Sequence, residues 1–160
     1  MISLVWLGFV GLVAIAAISD VRRYRIPNWA SLALLVLFAV LLLWRHAAVP
    51  WPSHLGVFAV ALAAGMLFFA FRQMGAGDAK FFAVIALWAG LGAILPLLFW
   101  TAIAGLIELA VLNGARRLAA HSSRPVPRVF AKHQGVPFGA AITLGAVAAS
   151  FWFPSWLWVV

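Results

Sequence analysis

The sequence has no cysteine and only three acidic residues, Asp20, Asp78 and Glu108. Without cysteine there is no disulfide, no thiolate metal site and no cysteine nucleophile. Charged residues of either sign make up 9% of the chain against 67% hydrophobic, and mean hydropathy is +1.13. A soluble domain of this length cannot cover its surface with so few polar groups. Lipid is the solvent that suits such a chain. The four histidines, His46, His54, His121 and His133, lack metal-ligand spacing, so neither a metal nor another cofactor is expected.

Eleven Lys and Arg residues give a net charge of +8. In a soluble protein that balance points to nucleic acid. Here the basic residues sit in short clusters between apolar runs, the way a membrane protein sets its orientation. No basic-aromatic module stands apart from the apolar segments, so nucleic acid is not expected as a partner and membrane lipid is.

The apolar runs set the layout. Residues 1–19 carry no charge, and Arg22, Arg23 and Arg25 follow the run instead of preceding it. This favours a retained first helix over a secretory signal. A second helix is expected over about 28–45, a loop at Pro50–Ser53, and a third run from Leu55 to Phe71. From Phe81 to Ala115 the only charge is Glu108. A single helix over that stretch would be roughly 52 Å long, against a hydrocarbon core of about 30 Å. Gly90, Gly92 and Pro96 offer a turn, which predicts a fourth helix over about 79–94 and a fifth over about 96–114. A sixth is expected over about 136–156. The expected fold is all-α: one transmembrane domain over residues 1–160, with about six membrane-spanning helices and both termini on the outer side.

Orientation supports this layout. The inner segments would hold Arg22, Arg23, Arg25, Arg72, Lys80, Arg116, Arg117, Arg124, Arg128 and Lys132, leaving only Arg45 outside. Trp44, Trp51, Trp152, Trp156 and Trp158 would then form an aromatic belt at the outer interface, although packing explains some of them equally well.

Asp20 would end helix one and Asp78 would begin helix four, both at the cytoplasmic face. Alone, each has a plain reading. Asp20 opposes its own helix dipole and could pair with Arg22 or Arg23. Asp78, after Gly75-Ala-Gly, could be an ordinary N-cap. Together they carry chemistry. Two carboxylates sharing a site hold a proton between them. The ionised member can then take a proton from water while the protonated member polarises a peptide carbonyl. Such hydrolysis needs neither metal nor thiol.

Three segments resemble one family. Asp20-Val-Arg-Arg-Tyr-Arg-Ile-Pro-Asn28 is similar to the first-aspartate segment of the type IV prepilin peptidases. Gly75-Ala-Gly-Asp78-Ala-Lys80 resembles their GxGD segment, and Val136-Pro-Phe-Gly139 resembles a third. The resemblance implies catalytic roles for Asp20 and Asp78, with Gly75, Gly77, Lys80, Pro137 and Gly139 binding substrate or supporting the site. It implies an aspartic endopeptidase of the bacterial inner membrane that removes the short basic leader from pilin-like precursors at the cytoplasmic face. Long members carry a cysteine-bearing N-terminal insertion and many methylate the new N-terminus. This chain resembles the short form associated with tight-adherence (Flp) pili, and methylation is not expected of it.

Other readings remain open. A GxGD-type protease could act on a different membrane segment, and a proton-coupled transporter could use the two aspartates as a relay. A transporter more often places its acids near the midplane. Lys80 is explained nearly as well as an interfacial anchor, Pro137 and Gly139 as shapers of a helix start, and residues 115–135 as a basic topology anchor. Glu108 is expected to face other helices, and its role is open.

Overall fold

The computed structural model describes residues 4–44, 50–119 and 136–154, which form helices and no strand. Arg45, the basic residues Arg124, Arg128 and Lys132, and Trp156 and Trp158 lie outside the described residues, as do both termini. The elements are α1 (Leu4–Arg23), α2 (Asn28–Trp44), α3 (Trp51–Ala70), α4 (Ala76–Ala119), α5 (Phe138–Ala149) and a 3-10 turn (Ser150–Trp152).

Helix α1 buries Phe9, Val13, Ala16 and Asp20. Their spacing of four, three and four residues is the inward stripe of an α-helix. The helix ends at Arg22 and Arg23, cations that suit a C-terminal dipole. The backbone then turns left-handed at Tyr24, φ 52°, a conformation uncommon outside glycine. Ser19 Oγ closes the turn by donating to the Arg25 carbonyl at 2.9 Å. Pro27 follows, and α2 begins one residue later.

The predicted loop at Pro50–Ser53 is instead mostly helix. Pro50 is the N-cap of α3 and Pro52 sits in its first turn, where a missing N–H costs nothing.

Helix α4 is two helices joined without a loop. The break lies at Gly90, φ 61° and ψ −171°, a region open essentially to glycine alone. This corrects the predicted boundary near residues 94–96: Pro96 lies inside the second arm. The cause is a side chain from α3. The His54 ring packs against Gly90, where a Cβ would come within 2.5 Å of Cε1. The break also removes the Leu91 N–H that a continuous helix would direct at the Leu87 carbonyl. His54 Nδ1 donates to that carbonyl instead, at 2.7 Å.

The first arm of α4 (76–89) is the centre of the molecule. Residues 83–90 are all buried. Trp88 anchors the core, its ring centroid 4.9 Å from Phe9 and 5.5 Å from Phe38, and its Nε1 donates to the Leu34 carbonyl at 3.3 Å. The outward faces are apolar too: Leu4, Leu43 and Val60 are 84%, 79% and 71% exposed. Large apolar side chains facing outward on several helices make a surface for lipid. Leu4–Arg23, Trp51–Ala70 and Ala76–Leu118 are long and apolar enough to cross a membrane, and the last contains the break at Gly90. Asn28–Trp44 and Phe138–Trp152 are apolar but shorter.

Candidate active site

Three segments far apart in sequence meet at one end of the bundle. The last turn of α1 brings Asp20, which is 4% exposed because residue 20 continues the inward stripe of Phe9, Val13 and Ala16. Arg22 and Arg23 are exposed. The partner of Asp20 is on α5: the Gly139 N–H donates to Asp20 Oδ2 at 2.8 Å.

The start of α5 explains why that amide is free. Pro137 is the buried N-cap and brings no N–H. The Phe138 N–H bonds the Val136 carbonyl and the Ala140 N–H bonds the Pro137 carbonyl. Gly139 is left to point at the carboxylate. Asp20 opposes the dipole of its own helix, yet it faces the positive end of another. The sequence alone shows the first of these terms and not the second. Gly139 has no room for a side chain, since a Cβ would lie 2.8 Å from both Asp20 Oδ2 and Ile26 Cδ1.

Asp78 enters on α4, which starts at Ala76, three residues before the expected start near 79. The Gly75 carbonyl accepts the Ala79 N–H at 3.0 Å, making Gly75 the N-cap. Asp78 is then the third residue of the helix, not its cap. Its carboxyl turns back and hydrogen-bonds the Gly75 backbone, the return half of a capping box. A Cβ on Gly75 would sit 2.8 Å from Asp78 Oδ2. Gly77 lies against Ile26, so this one side chain touches the glycine of the GxGD loop and Gly139 of α5. Lys80 is exposed.

Asp20 acts electrostatically on Asp78, and both act on Glu108. All three acids of the chain therefore share one neighbourhood. The sequence placed Glu108 only as a helix-facing residue. Its signal was its solitude in a long uncharged stretch, since an ionisable group within a span is a functional residue by default.

A pair of carboxyls at two helix ends can move a proton to and from a substrate held between them. Chain-wide comparison is consistent with that chemistry. A family model described as the type IV leader peptidase family matches residues 7–110, a span holding Asp20, Asp78 and Glu108. No curated protein and no solved structure matches the chain.

Proposed function

Since the chain belongs to the type IV leader peptidase family, a family of proteases acting on type IV pilin-like precursors, we propose that Asp20 and Asp78 are its catalytic pair. One carboxylate takes a proton from water and the other, protonated, hydrogen-bonds the scissile carbonyl. Water adds to the carbonyl carbon, and the tetrahedral intermediate collapses as the leaving amine takes up a proton. The two carboxyls exchange roles in the process.

The observation that carries this reading is the bond from the Gly139 N–H to Asp20 Oδ2. It ties the first and third motif segments together at the carboxylate that acts electrostatically on Asp78. Gly75, Gly77 and Pro137 support the pair through the backbone, and Lys80 is assigned to the substrate or the lipid interface.

In this reading the enzyme is a single transmembrane domain with six spans and both termini outside. It works at the cytoplasmic face of a bacterial inner membrane on short basic leaders. Co-expression with candidate pilin precursors tests it. Removal of the leader, seen as a mass decrease at a defined bond, is the expected result. Intact precursors beside a folded, inserted enzyme refute the reading.

A further inference from the structure

Glu108 is the one acid that the hydrolytic scheme leaves without a task. It lies on the second arm of α4 (91–119), one turn after Gly105. Gly105 has no side chain, and the start of α5 closes onto it, with Phe138 and Ala141 within 4 Å of a Cβ placed there. Glu108 therefore faces the same helix start that holds Asp20. Its carboxyl hydrogen-bonds the Ala141 backbone. Its Oε2 is out of solvent contact and has no hydrogen-bond partner among the described residues. The charged groups acting on it are Asp20 and Asp78, both acids.

Among the described residues this carboxylate, within electrostatic reach of two others, has no counter-ion, and a cation arriving there offsets repulsion among all three. The space for one is present. Glu108 lines a cavity of about 400 Å³ whose other walls are apolar, among them Ile103, Ile107, Val111 and Leu144. Apolar walls ending in a carboxylate suit the side chain of Lys or Arg, whose methylenes pack on apolar surface while the charged head reaches an anion.

We propose that Glu108 is a specificity-determining residue that binds a cationic side chain of the substrate, in the cavity between α4 and α5. This inference rests on the peptidase reading, with the precursor as the molecule that carries the cation. Glu108 would hold the leader, so the discrimination between substrates falls on KM.

The test uses the full-length enzyme in lipid vesicles and two precursors. One keeps its leader Lys and Arg residues, and the other has each replaced by Gln. The wild type should show a KM lower by about tenfold or more for the cationic precursor, as a charge-assisted hydrogen bond warrants. Glu108→Gln should cut both precursors with the same KM, and Glu108→Asp should retain the preference. Equal KM values for the two precursors with the wild type overturn the inference even if no variant folds. A preference that survives in Glu108→Gln also overturns it. Failure of the wild type to cut either precursor refutes the peptidase reading and this inference with it, whereas uniform cutting refutes only the role of Glu108.

Discussion

The Gly139 amide and the Asp20 carboxylate, 2.8 Å apart and separated by 119 positions in sequence, join the last turn of α1 to the first turn of α5. One carboxylate oxygen is thereby aimed by a backbone group, and the rest of the site is arranged around it.

If Asp20 and Asp78 form the catalytic pair, Asp20→Asn and Asp78→Asn should each lower leader removal by about 10³-fold or more, since each deletes one member of a coupled unit. Both variants should still insert and stay folded. Gel or mass analysis of precursor turnover checks this, and substantial cleavage by either variant removes the dyad mechanism.

Gly139→Ala should damage the site through geometry alone. Its Cβ would press on Asp20 Oδ2 and Ile26 Cδ1, so the carboxylate must shift or the helix start must retreat. Overpacking of this kind costs about 1–3 kcal/mol, and a displacement of the acid should lower kcat by about tenfold or more. Gly11→Ala is the control, because no atom lies within 4 Å of a Cβ there. Melting curves and turnover measured side by side should show loss for Gly139→Ala and none for Gly11→Ala.

The break in α4 depends on Gly90 and His54 as a unit. Gly90→Ala puts a side chain in a glycine-only conformation, at about 1–3 kcal/mol, and into the His54 ring. His54→Leu leaves the Leu87 carbonyl buried without its donor, also about 1–3 kcal/mol. Both should lower the melting temperature. The double variant should be less destabilised than the sum, because the two residues share a contact. Strict additivity would show that the ring does not hold the break.

Reporters fused after Arg25 and Gln73 should read cytoplasmic, and one after Trp51 external, if α1, α2, α3 and each arm of α4 cross the membrane in alternation. An external signal after Gln73 would place Asp78 on the wrong face for a cytoplasmic leader and end the six-span reading.

The product should be unmethylated. Transfer of a methyl group to the new N-terminus needs a site for its donor. The sequence carries no cysteine-bearing insertion and no glycine-rich strand–helix fingerprint for a nucleotide-like donor. Mass spectrometry of the processed pilin with a methyl donor supplied decides this, and a product heavier by one methyl group reveals a missed site.

By itself the sequence determined the apolar helices and marked the two aspartates as candidates. These are local properties: uncharged runs, basic clusters beside them, a glycine pair before Asp78, and Asp20 at the end of the first run. Helix limits were legible to within a few residues except where another element intervened. Tertiary structure alone decided that α4 breaks at Gly90, because the deciding contact comes from His54 on α3. It alone placed Glu108 beside the aspartates, because Gly105 lets α5 close onto that face. It alone supplied Asp20 with its donor, because the positive end of α5 reaches that carboxylate only once the helices have packed. Periodicity records which face of a helix turns inward, but not which distant helix end will meet it there.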